Sequence, residues 1–395
     1  MRPLVLSHFA TVNPLGVGCA ATLEALAGRR AGLRPMDFDG AELATWIGRI
    51  GGVEERPVAE RLAQYDCRNN RLAQMALEQD GFAQAVARAR DRYGADRIAV
   101  LAGTSTSGIH QCELAYRERD AASGALPSWF RERETLNLFS LADFVQRSLR
   151  LEGHAATIST ACSSSAKVFA SAARLVEAGY ADAAVVGGAD SLCLTTLYGF
   201  TSLELVSREP CRPCDASRDG ISIGEAAGFA LLERADAASA DVALLGYGES
   251  SDGYHMSTPD PEGEGAHLAM RAALERAGIG PHDVDYINLH GTGTPANDRI
   301  EDRALYRLFG DTVACSSTKG WTGHTLGAAG ITEAIICALC LRAGLIPGSV
   351  NLNRVDPAFT SRVVVEPEAR ELRRVMSNSF GFGGSNCSLI LGRLG

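Results

Sequence analysis

The segment Leu326 to Arg342 constrains this 395-residue chain most, because a helix drawn through it is apolar nearly all round. A helix without a polar stripe has no face to give to water and must be covered on both sides. The Ala-rich segment Ser164 to Glu177 has the same character. Strand-like apolar runs alternate with helical stretches around these two: Ile98 to Leu101, Ala156 to Ser159, Ala183 to Val186, Gly228 to Leu232, Val242 to Leu245, Tyr286 to Leu289, Val313 to Ser316, Val375 to Ser377 and Cys387 to Leu391. Such alternation predicts an α/β layered protein. His267 to Ala277 is a third predicted helix.

The two halves repeat one arrangement. Ala156 to Ser159 runs through a small-residue turn into the helix that begins near Cys162, and Val313 to Ser316 runs through a Gly-rich turn into the helix that begins near Thr325. Two such halves, each with its sheet and helices, predict a five-layered sandwich with a site where the helix N-termini meet. The expected division lies in the charged, Ala/Ser-rich connection Ala235 to Asp241, giving an N-terminal half 1–237 and a C-terminal half 238–395.

Composition narrows the function. Apolar residues make up 46% and charged residues 22% of the chain, enough to bury a large core. Pro3, His8, Asn13 and Pro14 interrupt the first apolar run, so neither a signal peptide nor a membrane span is expected, and the protein is expected in the cytoplasm. Its 11 cysteines are then expected as reduced thiols. A net charge of −9 argues against nucleic-acid binding. Arg68, Arg71 and Arg208 are either a local basic dock or ordinary surface arginines.

Three segments carry reactive side chains. Ser159-Thr-Ala-Cys162-Ser-Ser-Ser165 puts a cysteine at a strand-to-helix turn, where unpaired N–H groups and the helix dipole favour a thiolate. Taken alone, this cysteine is equally a nucleophile or a small buried packing residue. His290-Gly-Thr292-Gly-Thr294-Pro follows a strand directly, with Asp298 and Glu301 within supporting reach. Lys319-Gly-Trp-Thr-Gly-His324 leads into the apolar helix, with Glu333 nine residues beyond the histidine. Two further pairs, Cys211/Cys214 and Cys337/Cys340, have C-x-x-C spacing but lack the turns of a metal knuckle, and no metal site is expected from them.

In order and separation these segments resemble the Cys-His-His triad of the elongating β-ketoacyl synthases in the thiolase superfamily. The resemblance covers almost the whole chain, including Gly103-Thr-Ser-Thr-Ser-Gly108, Arg218-Asp-Gly220, Ser251-Asp-Gly-Tyr-His-Met256 and Asn378-Ser-Phe-Gly-Phe382-Gly-Gly-Ser-Asn386. It implies a thiolase-like α-β-α-β-α sandwich of two pseudo-symmetric halves. Cys162 would accept an acyl chain, with the N–H groups of Cys162 and Phe382 as oxyanion hole, and His290 and His324 would act as neutral donors during malonyl decarboxylation. Lys319 and Glu333 match a charged pair that holds the histidines, and Phe382 a gating residue. Thr292, Thr294, Ser257 and Thr258 would bind the pantetheine arm, and Thr106 would face the acyl pocket. No free cofactor is expected, since phosphopantetheine arrives on an acyl carrier protein; the other expected partner is a second copy or a chain-length-factor-like subunit.

Neighbouring classes fit less well. A non-decarboxylating thiolase needs a second cysteine in a C-terminal Cys-x-Gly turn, and here that turn is Gly-Phe-Gly-Gly-Ser-Asn386. A non-catalytic chain-length factor lacks the cysteine, and an initiating synthase has Asn in place of His324. Within the elongating enzymes, polar Thr106 and the stretch Thr195 to Ser207 resemble the synthases of aryl polyene clusters.

Overall fold

The computed structural model describes residues 1–238 and 240–394. Eleven strands form one continuous path: β1 (Leu4–Asn13), β2 (Ile98–Gly103), β3 (Ala155–Ile158), β4 (Ala183–Asp190), β5 (Ala226–Arg234), β6 (Val242–Ser251), β7 (Tyr286–Asn288), β8 (Ala314–Ser316), β9 (Arg362–Val363), β10 (Arg374–Gly381) and β11 (Ser385–Arg393). Their order is β9-β8-β7-β10-β11-β6-β1-β5-β4-β2-β3, and the short strand Gly16–Val17 pairs with the end of β1. All nine runs read from the sequence are strands.

The repeat is explicit in this order. Numbered within each half, the strands run 3-2-4-5-1 twice, as β3-β2-β4-β5-β1 and as β8-β7-β10-β11-β6, with β9 added outside β8. The pairing sense also repeats: strands 3, 2 and 4 are parallel, and 4, 5 and 1 antiparallel. The halves meet where β1 pairs with β6 through Leu4↔Leu244 and Val5↔Ala243. The structure therefore differs from two separate sheets: one sheet is joined at a short hinge. The strand β1 that makes the joint was not read from the sequence, because His8, Asn13 and a register shift between Leu6 and His8 break its alternation.

Helices complete the layers: α1 (Arg68–Leu77), α2 (Phe82–Tyr93), α3 (Ser140–Leu149), α4 (Ser164–Glu177), α5 (Leu194–Ser202), α6 (Glu264–Ala277), α7 (Pro295–Phe309) and α8 (Ala329–Ala343). Both α4 and α8 touch strands of both halves, α4 lying on β2, β4, β6 and β11 and α8 on β10, β11, β5 and β1. One outer face of the sheet carries α1, α2 and α3 and the other carries α6, against which α7 packs, so the protein is the five-layered α/β sandwich. Double coverage is why α8 needs no polar face. Leu326–Ala343 is apolar and long enough to cross a membrane, but it lies almost entirely inside the fold.

The two central helices approach closely at small residues. A Cβ on Gly330 would lie 2.5 Å from the Ala166 nitrogen, and the Ile331 N–H donates to Ser165 Oγ at 2.9 Å. This contact brings the N-terminal ends of α4 and α8, and the turns before them, together. The expected division at 237/238 falls beside the turn Arg234 to Ala238; Ser239, within the connection read from the sequence, lies outside the described residues.

Candidate active site

Cys162 stands two residues before α4, and the chain turns there through Ala161 at φ 52°. That left-handed conformation is strained for a residue with a Cβ. Hydrogen bonds from Ser164 Oγ to the Ala161 carbonyl (2.6 Å) and from the Thr160 N–H to Ser164 Oγ (2.9 Å) hold it. Cys162 is buried, and burial pushes its thiol up to about 11, against the lowering effects of Lys319 and the Phe382 N–H. Desolvation at this site thus opposes the thiolate that the strand-to-helix turn favours.

His290 follows β7. Glu301 on α7 accepts the N–H groups of His290 (2.8 Å) and Gly291 (2.7 Å), and Asp298 accepts those of Gly293 (3.1 Å) and Cys214 (2.9 Å). Both carboxylates thus support the backbone of the turn, not the imidazole. His324 follows the short helix Lys319–Thr322, and its N–H donates to the Ser222 carbonyl at 2.7 Å. The two rings stand edge to face, 5.5 Å between centroids, and the Cys162, His290 and His324 heteroatoms lie within 4.8 Å of one another.

The proton positions follow from the partners. Lys319 Nζ lies 3.4 Å from His290 Nδ1, and the Leu326 N–H donates to His324 Nδ1 at 3.1 Å. Each Nδ1 accepts, so each neutral ring carries its proton on Nε2. Burial, reinforced by the Lys319 charge, holds both imidazoles well below the usual histidine range, and at neutral pH they are uncharged donors. Lys319 is also ion-paired with Glu333, whose carboxyl burial pushes up to about 7. A soft cation could use the same Cys-His-His donors, but the Lys319 ammonium beside His290 opposes one electrostatically.

A cavity of about 380 Å³ opens over these groups. Phe200, Leu203, Leu205 and Ile221 give it an apolar wall, while Ser257, Thr258, Thr292 and Thr294 line it with hydroxyls. Phe382 is half-buried at the cavity, its ring 5.7 Å from that of Phe200, and the adjacent Gly383 adopts φ 80° with open space around its α-carbon. The structure does not bring Thr106 to this wall: its hydroxyl is bound to Asp190 at 2.8 Å.

One other reading is corrected. Arg68 is buried and ion-paired with Glu225 and Glu54, and Arg71 with Asp66, so neither is a free docking cation; Arg208 is exposed. Among the described residues, neither C-x-x-C pair joins a cluster of three or more metal-ligating side chains. Sequence reasoning missed Phe200 as a wall residue and missed Asp190 altogether. An acidic residue closing the otherwise apolar run Ala183 to Ala189 was the signal for the second.

A cysteine at a helix N-terminus, faced by two neutral imidazole donors inside a doubled β-α sandwich, defines a condensing acyltransferase of the thiolase fold. The chain belongs to the β-ketoacyl synthase family: the N-terminal domain model of that family matches residues 21–238 and the C-terminal domain model residues 242–353. It is similar to a 3-oxoacyl-[acyl-carrier-protein] synthase 2 of Rhizobium meliloti, 34% identical over 100% of this chain and 99% of the relative. Among solved structures it is similar to the ketosynthase ApeO of Xenorhabdus doucetiae, determined in complex with its chain length factor ApeC. The identity is 39%, the coverage 100% of this chain and 98% of that one, and the TM-score 0.91. The ishigamide ketosynthase/chain length factor is 28% identical, with full coverage of both chains and a TM-score of 0.89.

Proposed function

We propose that this chain elongates acyl groups on a carrier protein by decarboxylative condensation, with Cys162 as the acyl acceptor. In the first half-reaction the Cys162 sulfur attacks the thioester of an acyl carrier protein and the pantetheine thiol leaves with the proton. The N–H groups of Cys162 and Phe382 stabilise the tetrahedral oxyanion. In the second, malonyl carrier protein loses carbon dioxide; the carbanion attacks the acyl-Cys162 carbonyl, and the freed sulfur takes up one proton. The products are 3-oxoacyl carrier protein, carbon dioxide and the Cys162 thiol.

The observation that carries this reading is the pair of Nε2–H donors on His290 and His324, held beside the sulfur by acceptor-only Nδ1 atoms. Two neutral donors stabilise the enolate-like oxygen that develops as carbon dioxide leaves. Lys319 and Glu333 hold His290, Phe382 gates entry, and Thr292, Thr294, Ser257 and Thr258 bind the pantetheine arm, so no free cofactor is required. The nucleophile lies in a unit 1–237 and both histidines in a unit 238–395, in a protein acting in the cytoplasm. Thr106 serves the acyl end only indirectly, through the loop it helps to close. The test is Cys162→Gln: condensation is lost while malonyl decarboxylation persists or rises, and loss of both would mean that the division of labour is wrong.

A narrower reading concerns the substrate. Phe200, Leu203 and Leu205 of the cavity wall all come from Thr195 to Ser207, the stretch that resembles aryl polyene synthases. A conjugated, aryl-capped chain suits an apolar wall with an aromatic pair. The ketosynthase–chain length factor complexes among its structural relatives support a cysteine-less homologue as partner, with a second copy as the other option. Mass spectrometry of Cys162 after incubation with carrier proteins bearing each chain tests the substrate: acylation by a saturated long chain but not by the aryl polyene would sink it.

A further inference from the structure

Asp190 closes β4 and is completely buried, yet among the described residues it has no Lys or Arg partner. Its charge is met by hydrogen-bond donors from both halves. Oδ1 accepts from Thr104 Oγ1 (2.6 Å), the Ser105 N–H (2.8 Å), and both the N–H and Oγ1 of Thr106 (2.8 Å each). Oδ2 accepts the Gly327 N–H at 2.5 Å and the Ser105 N–H at 3.1 Å. Each side leads to the active site. Ser105 Oγ donates to the carbonyl of Ala161, the residue before the nucleophile, at 3.2 Å. Gly327 follows Leu326, whose N–H fixes His324 through Nδ1.

We infer that Asp190 is a positioning residue that clamps the Leu326–Ala328 turn, and through it the donor tautomer of His324, to the loop beneath Cys162. The inference rests on the roles proposed above for Cys162 and His324. Charge and geometry make the clamp directional. An asparagine has one acceptor oxygen, and four donors converge on Oδ1, so its oxygen stays there and its NH₂ faces the Gly327 N–H. Two donors then oppose each other and the His324 side is released, while the Cys162 side keeps its bonds. Gly327 is tight against both sides of the clamp: a Cβ there would lie 2.7 Å from Asp190 Oδ2, 2.7 Å from Ser105 Oγ and 2.8 Å from the Ser105 nitrogen.

The experiment uses the full chain and reads two activities. Carbon dioxide release from malonyl carrier protein reports the histidines, and iodoacetamide alkylation of Cys162 reports the nucleophile turn without needing the natural acyl chain. In Asp190→Asn, carbon dioxide release should fall about tenfold or more while alkylation stays within about threefold. Gly327→Ala should lower carbon dioxide release as well, its Cβ meeting Ser105 in addition to Asp190, so the test survives if the first variant fails to fold. The double variant should lose little more than either single one, because both break one contact. Unchanged carbon dioxide release in either folded variant, or a parallel fall of both readouts in Asp190→Asn, would overturn the clamp. A parent chain that alkylates but releases no carbon dioxide would overturn the proposed function, and the clamp with it.

Discussion

Lys319 Nζ stands 3.4 Å from His290 Nδ1 and is ion-paired on its other side with Glu333. An ammonium only donates, so the lysine fixes the imidazole proton on the nitrogen facing the cavity. Lys319→Met removes that constraint and strands a buried carboxylate, a loss on the order of 3 kcal/mol read as a lower urea midpoint. Lys319→Met/Glu333→Leu should regain much of the stability without regaining carbon dioxide release. Recovery of both would mean that the pair serves the fold and not the imidazole.

The depressed imidazoles predict a pH profile without a histidine limb. Both rings remain neutral donors below the ordinary histidine value, so the rate of malonyl decarboxylation should be flat from pH 8 to about 6.5. A limb centred near 6.5 that persists in Glu333→Gln would show an exposed, ordinary histidine, since Glu333 itself is raised to about 7. For stability, a lowered folded value means that the unfolded chain binds more protons below pH 6.5. The contribution of each ring is therefore complete above that pH and lost as pH falls, by up to about 1.4 kcal/mol per pH unit. Glu333, raised to about 7, acts in the opposite sense between 4.5 and 7 and reduces the net slope. Thermal midpoints of His324→Gln should fall less steeply with acid than those of the parent.

Much of this was legible because its causes are local. The all-apolar helix α8 required cover on both sides, the nine strand runs carried their own hydrophobicity, and the Cys162, His290 and His324 turns stood at strand ends. What was hidden depends on contacts distant in sequence. Nothing near Cys162 says that burial will hold its thiol protonated, since the layers that desolvate it come from both halves. Thr106 turns from the pocket because a carboxylate 84 residues away accepts its hydroxyl. Arg68, read from the sequence as a basic dock or a surface arginine, is buried and paired with Glu225, 157 residues distant. The hinge pairing of β1 with β6 was invisible because an irregular strand has no clean period.

The α4–α8 approach sets a steric prediction. A methyl group at Gly330 would lie 2.5 Å from the Ala166 nitrogen and 2.7 Å from its Cβ, where only helix displacement relieves the clash. Gly330→Ala should cost about 1–3 kcal/mol. Gly199, in α5, is the control, having nothing within 4 Å of the corresponding position. Gly199→Ala should be neutral or stabilise by up to about 1 kcal/mol through the unfolded chain. Chemical denaturation of the two variants decides: equal effects would mean that the helices are not packed at this contact.

The protonated resting state of Cys162 predicts how it meets electrophiles. With the thiol pushed up to about 11, the thiolate fraction at neutral pH is small, and the rate of iodoacetamide alkylation should rise about tenfold per pH unit from 7 to 10. A plateau below pH 8 would instead reveal a thiolate held by the helix terminus. Phe382 affects access separately, through its ring against Phe200, while its N–H faces the sulfur. Phe382→Ala removes the ring and keeps the N–H. It should raise the alkylation rate at every pH by a constant factor, leaving the slope unchanged. A changed slope would mean that the ring, and not only the backbone, sets the thiol's protonation.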